Sequence, residues 1–258
     1  MDWQQLCLEV EEAEEEAFDL HTTVRSEWTT RGLGAIDGKK NEIEISDGLR
    51  DYVFQQNPSL FRTSRSSTGY VVWQISVYFA QWLLTTGNPL RHVFEGNVLE
   101  LGSGVGVLAS VLGPKARTYV ATDQKHVLKL LSRNIDANTA QLALHSILAF
   151  EYDWCDAEID TARLHRQFPN GFDTFLAFDC VYNEELIPPF VQACVRLSAL
   201  NKPAIFVIGQ ELRSHEVMAL FLQSMLEHFV LYRVKQELLG SALAKGFCMH
   251  IAIRKELP

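Results

Sequence analysis

The sequence predicts an α/β fold: a doubly wound sheet of seven strands, mostly parallel, with a C-terminal antiparallel hairpin. Three observations predict it. From residue 97 onward, strand-length apolar runs alternate with helical patterns, which implies parallel strands covered on both faces. Glycines crowd the turn directly after the first of these runs. The last two runs, near 229–236 and 246–253, follow one another with no long helix between them, as a closing hairpin requires.

Taken in order, residues 9–16 read Glu-Val-Glu-Glu-Ala-Glu-Glu-Glu, a solvated acidic helix or a loose tail. Glu42-Ile43-Glu44-Ile45-Ser46 alternates polar and apolar like a half-buried strand, and Asp47-Gly48 reads as a turn. Residues 1–67 are expected to form an N-terminal extension that packs on a main domain over 68–258. The stretch 61–69 is rich in Arg, Ser and Thr and reads as a loop. From Tyr70 to Leu84 the residues Val72, Ile75, Phe79 and Leu83 share a helical face, and Gly87-Asn88-Pro89 ends the helix. Strands are then expected at 97–101, 118–122, 144–150, 172–178 and 203–209, ahead of the hairpin. Helices are expected from Val107, over about 125–138, after Pro188-Pro189 and over 215–227.

The glycine turn carries the chemistry. Glu100-Leu101-Gly102-Ser103-Gly104-Val105-Gly106 follows the first core strand, where doubly wound sheets bind ligands outside the carboxyl ends of their strands. Glycines there permit a tight turn and close backbone approach. A dinucleotide fingerprint needs G-x-G-x-x-G. Here the spacing is G-x-G-x-G, with Val107 at the third-glycine position and Glu100 two residues before the first glycine. A carboxylate at that point opposes a pyrophosphate and suits S-adenosylmethionine, which carries a sulfonium and an ammonium. The second strand ends at Asp123, placed to accept ribose hydroxyls; the competing role for this acid is a helix cap.

These residues resemble the first motif of the seven-strand methyltransferases, and three further stretches resemble family 16 of that class. Asp179-Cys180-Val181-Tyr182 looks like its D-x-x-Y signature, Thr68 to Trp73 resembles its segment before the core, and Asp153-Trp154 resembles its acidic-aromatic step after strand three. The family consists largely of protein lysine methyltransferases. The stretches Asp179–Pro189 and Val24–Trp28 resemble members that modify ribosomal proteins. The resemblance therefore implies a protein lysine methyltransferase that uses S-adenosylmethionine and acts on a basic ribosomal protein. It implies cofactor contacts from Trp73, Glu100, Gly102, Ser103, Gly104, Gly106, Asp123, Trp154 and Ala177. It places Asp179 and Tyr182 on the substrate side, Asp179 to orient the amine and Tyr182 to wall the lysine channel. Ordinary packing competes for Trp73, Trp154, Ala177 and Tyr182, and a cap for Asp179. Gln210, Glu211 and Arg213 stand after the fifth strand, equally suited to meeting a peptide or lying in a solvated loop.

Composition bounds the alternatives. The chain has 258 residues and a formal charge of −9, which disfavours direct nucleic-acid binding. Its five cysteines are scattered, with no C-x-x-C and no H-E-x-x-H, so no metal is expected. Reduced thiols, no secretory pattern and no span-length apolar run fit a protein of the cytosol or nucleus; a monomer with no membrane partner is expected. A small-molecule methyltransferase on the same fold remains open, since fold does not fix substrate. A nicotinamide oxidoreductase is opposed by the glycine spacing and the lack of a Tyr-x-x-x-Lys pair. A binding module that has lost its cofactor is opposed by the intact turn with Asp123 and Asp179.

Overall fold

The computed structural model describes residues 3–24, 34–63, 68–142, 146–199 and 204–255. Four expectations lie at least partly outside those residues: the Arg25–Trp28 part of the motif near the start, positions 64–67 of the loop, positions 144 and 145 of the third strand, and position 203 of the fifth. The chain divides into two compact units, residues 1–30 with 154–258, and residues 31–153.

The first unit begins with α1 (Trp3–Leu6), β1 (Cys7–Val10) and α2 (Ala13–Asp19). The expected solvated acidic helix stands in part, since Glu14 and Glu15 of α2 are exposed, but Glu9 and Val10 belong to a paired strand and Glu16 is largely covered. Strand β1 pairs antiparallel with a later strand, and α2 turns Ala13, Ala17 and Glu16 inward. The charge of Glu16 is met by remote partners. Its Oε1 lies 2.9 Å from His250 Nε2, and its Oε2 lies 3.5 Å from Arg233 Nη1. Asp19 completes the group, 2.7 Å from Arg233 Nη2. An acid as largely covered as Glu16 is tolerated because it is paired.

The second unit opens with a hairpin of β2 (Glu42–Ser46) and β3 (Asp51–Gln55), then α3 (Pro58–Thr63) and α4 (Gln74–Leu83). The expected face holds in α4 for Ile75, Phe79 and Leu83, all buried, and Val72, also buried, precedes the helix. The helix starts four residues later than expected, because Trp73 is extended and bridges Ala35. Three parallel strands follow in the order β4 (Asn97–Leu101), β5 (Thr118–Asp123) and β6 (Ile147–Glu151). They are joined by α5 (Val107–Leu112) and α6 (Leu128–Thr139). Helix α6 binds the hairpin by two asparagines. Asn134 accepts from Gln55 N–H at 3.0 Å and donates to Gln55 O at 3.0 Å. Asn138 does the same to Val53, at 2.9 Å each way.

The first unit resumes with α7 (Ala157–Gln167), β7 (Thr174–Phe178), α8 (Ile187–Ser198), β8 (Ile205–Glu211), α9 (His215–Leu226), β9 (Phe229–Val234) and β10 (Phe247–Arg254). Its strand order is β1-β9-β10-β8-β7. Strands β7 and β8 are parallel, and β10 is antiparallel to both β8 and β9. The seven expected core strands are therefore present and the fold class stands. Strand β1 extends the sheet beyond them at the β9 edge, and the β2–β3 hairpin is a separate sheet. The prolines Pro188 and Pro189 sit inside the first turn of α8 rather than before it, where their missing N–H groups cost no helical bond. Among the described residues no helix is long and apolar enough to cross a membrane, and no group of three or more His, Cys, Asp or Glu could hold a metal ion.

Candidate cofactor and substrate sites

In the unit of residues 31–153, the glycine turn leaves β4 and enters α5. Gly102, Gly104 and Gly106 have φ of 65°, 53° and 87°, a region that strains any residue with a Cβ. The turn is closed by Ser103 N–H donating to Thr122 O and Gly106 N–H donating to Ser103 O, both at 2.9 Å. A Cβ on Gly104 would stand 3.4 Å from Gly69 O, so the Thr68-Gly69 segment and the turn meet backbone to backbone. Trp73 stays half-buried and donates its indole N–H to Thr68 O at 3.0 Å, which anchors that segment.

Asp123 closes the same group. Its Oδ2 accepts from Gly104 N–H and its Oδ1 from Gln124 N–H, each at 2.8 Å. Burial raises its pKa above the ordinary carboxylate value, against the lowering effect of those two donors. Helix α6 has no side-chain cap, so capping is not what Asp123 does here. Glu100 is 3% exposed on β4 and its Oε2 accepts from Tyr119 Oη at 2.9 Å. Burial pushes its carboxyl up to about 7. Gln124 Nε2 reaches Asp153 Oδ2 at 2.9 Å, linking the ends of β5 and β6. Gly69, Tyr119 and Gln124 were not among the expected site residues. The strand-end position of Gln124 beside Asp123 was the available signal for one of them.

These residues fit S-adenosylmethionine. The group offers two carboxylates as acceptors beside three glycine backbones, which matches a ribose and a cationic amino-acid end better than a pyrophosphate. A Cβ on Gly106 would stand 2.8 Å from Leu131 Cδ1, so glycine there lets α6 pack against the turn.

In the unit of residues 1–30 and 154–258, Ala177 is buried in β7 and pairs with Ile208 of β8. Trp154 is half-buried, with its ring edge-on to Phe190 of α8 at 5.2 Å. Among the described residues Asp179 is the one non-glycine with positive φ, at 56°. Its N–H donates to Gly209 O at 2.8 Å, and its carboxylate is forked by the Arg213 guanidinium. The cap of the following turn is Asn183, which accepts from Leu186 N–H at 3.2 Å, so Asp179 is not that cap. Tyr182 is half-buried just beyond. Gln210 turns inward from β8 and donates to Val181 O at 3.0 Å, while Glu211 and Arg213 form an ion pair at 2.6 Å. Arg213 thus belongs to a built cluster rather than to a solvated loop. The 34-residue separation from Asp179 hides that pairing from a linear reading.

Comparison with known proteins bears on both groups. A family model described as lysine methyltransferase matches residues 55–228. Ribosomal lysine N-methyltransferase 5 of Zygosaccharomyces rouxii is 32% identical, over 71% of this chain and 74% of that protein. The protein of the same name from Vanderwaltozyma polyspora is 27% identical, over 92% of this chain and 97% of that one. A Schizosaccharomyces pombe protein named diaminohydroxyphosphoribosylamino-pyrimidine deaminase is 30% identical over 80% of this chain, which spans 49% of its length. The zinc-deaminase pattern H-x-E with P-C-x-x-C is not present in this sequence. Among solved structures, an S-adenosylmethionine-dependent methyltransferase from Streptococcus mutans aligns with a TM-score of 0.52 at 10% identity, over 83% of this chain and 56% of that one. A methyltransferase complexed with S-adenosylhomocysteine aligns at 0.51 and 11% identity, over 86% of this chain and 58% of the other. These two likenesses concern the fold.

Proposed function

The chain belongs to the lysine methyltransferase family and is an S-adenosylmethionine-dependent methyltransferase; on that premise we propose that it methylates a lysine side chain of a basic ribosomal protein. The glycine turn held against an acid, with Asp123 bonded to Gly104 N–H and Glu100 buried two residues before the turn, supports the cofactor part of the reading; the lysine part rests on the family match and on the Asp179-to-Tyr182 signature. Trp73, Glu100, Gly102, Ser103, Gly104, Gly106, Asp123, Trp154 and Ala177 hold the cofactor in this proposal. The methyltransferase domain is residues 68–258, acting as a monomer in the cytosol or nucleus, on protein rather than nucleic acid or membrane.

When bound, the cofactor supplies an electrophilic methyl on a sulfonium. The protein's task is then alignment and proton removal. A lysine ammonium has no lone pair, and its reference pKa of about 10.4 must be lowered by desolvation or a nearby positive charge. Asp179 orients the amine, and Tyr182 walls the channel and excludes water.

The test is incubation with S-adenosylmethionine labelled in its methyl group and an extract from cells lacking the protein. Label is expected on lysine in a ribosomal-protein band. Label confined to small metabolites overturns the proposal, as does calorimetric binding of a nicotinamide dinucleotide in place of S-adenosylmethionine.

A further inference from the structure

We propose that Arg213 is a positioning residue that fixes the Asp179 carboxylate for the incoming amine, with Glu211 anchoring the guanidinium through its Nη2. This rests on the lysine methyltransferase reading, since it concerns the group that receives the substrate. The backbone of Asp179 occupies a region that side chains rarely adopt, and such a conformation persists only where its surroundings over-determine it. Three contacts do so here. The Asp179 N–H is held by Gly209 O at 2.8 Å, Oδ1 by Arg213 Nη1, and Oδ2 by Arg213 Nη2 at 2.6 Å. A forked pair fixes the plane of a carboxylate as well as its charge.

Arg213 is itself held. Its Nη2 also donates to Glu211 Oε2 at 2.6 Å. The Asp179 and Glu211 side chains are 4% and 1% exposed, whereas Arg213 is 27% exposed. The two carboxylates raise the Arg213 pKa, against the lowering effect of burial. Asp179 and Arg213 lie just past the carboxyl ends of the parallel strands β7 and β8, the edge where such sheets take their ligands. An ionised carboxylate offers about four lone-pair positions, and the fork uses two of them, so Asp179 retains acceptor capacity for an amine. Lysine at position 213 would keep the charge and lose the fork.

The experiment compares wild type, Arg213→Met and Arg213→Lys. The probe is labelled S-adenosylmethionine with ribosomal proteins from cells lacking the enzyme. For Arg213→Met, kcat/KM toward those proteins is expected to fall roughly ten- to a hundredfold. Its calorimetric Kd for S-adenosylmethionine should stay within about twofold of wild type. Arg213→Lys should fall between the two, and guanidinium ion at non-denaturing concentration should restore Arg213→Met in part. In the absence of substrate, the carbon-13 signal of the Asp179 carboxylate should move in Arg213→Met and return with guanidinium. The proposal is overturned by a folded Arg213→Met of unchanged or raised kcat/KM, or by Arg213→Lys equal to wild type. A loss that guanidinium does not reverse, with the Asp179 signal unmoved, overturns it too. Wild-type enzyme that labels no lysine overturns the family-based reading instead, and the Asp179 signal still decides the clamp.

Discussion

Replacing Gly106 by alanine tests the architecture of the turn, because two separable penalties meet at that residue. Its φ of 87° is left-handed, which costs an L-residue roughly 1–2 kcal/mol. The added Cβ would also stand 2.8 Å from Leu131 Cδ1 and 3.3 Å from Ile135 Cγ1. Leu131 is fully buried and Ile135 nearly so, so neither side chain can swing away into solvent. Overpacking of that kind costs about 1–3 kcal/mol, and the two penalties together come to about 2–5 kcal/mol. Set against a typical total stability of about 5–15 kcal/mol, that is a large fraction. For a chain of this size it corresponds to a fall in Tm of roughly 4–20 °C. Gly48→Ala is the internal control, since its φ is 85° but nothing lies within 4 Å of the added Cβ. It should show the backbone cost alone. The assay is thermal unfolding of both variants beside wild type. A Gly106→Ala protein that melts within about 1 °C of Gly48→Ala refutes the packing argument.

Two further outcomes are expected. Glu100 is held up to about 7 from an ordinary 4.5, so the unfolded chain ionises it first as pH rises, and apoprotein stability should decline between those values. Glu100→Gln should flatten that decline, which denaturant titrations at pH values across the window will read; an unchanged slope argues against burial as its source. Glu16→Ala removes the partner of His250 and one partner of Arg233, and should cost about 1–3 kcal/mol. It should speed hydrogen exchange in residues 7–19, and exchange as slow as in wild type would mean that the ion pairs do not secure the segment.

Much of the fold could be read from local pattern. The β4 strand, the glycine turn and β5 are a short apolar run, a cluster of glycines and a second apolar run, all contiguous in sequence. What escaped lies in pairings between remote residues or on polar buried faces. Strand β1 has only four residues and buries just its two ends, Cys7 and Val10, so it shows no alternation. Helix α2 looked solvated because the residues that neutralise Glu16 arrive more than two hundred positions later. Helix α7 left little periodic signal, since its buried face is Ala157, Asp160, Thr161 and Leu164, one large apolar residue among four. Strand β3 is an exception, for it alternates locally, with Tyr52 and Phe54 inward just past the Asp47-Gly48 turn. The cofactor side of the site was legible because glycine spacing and strand-end acids are local signals. The Asp179–Arg213 fork was not, because an ion pair between two strand ends has no fixed spacing.

The asparagines of α6 do more than tie down a hairpin. Residues four apart on a helix advance by about 6 Å, and alternate residues of a strand advance by about 6.6–6.8 Å. Asn134 and Asn138 therefore meet Gln55 and Val53 in register, and each carboxamide presents one donor and one acceptor, as a neighbouring peptide group would. The helix imitates an adjoining strand along one margin of β3. A bare strand margin of this kind recruits other chains and seeds aggregation. Here two side chains of one helix occupy it, so that margin of β3 is covered without any third strand being built.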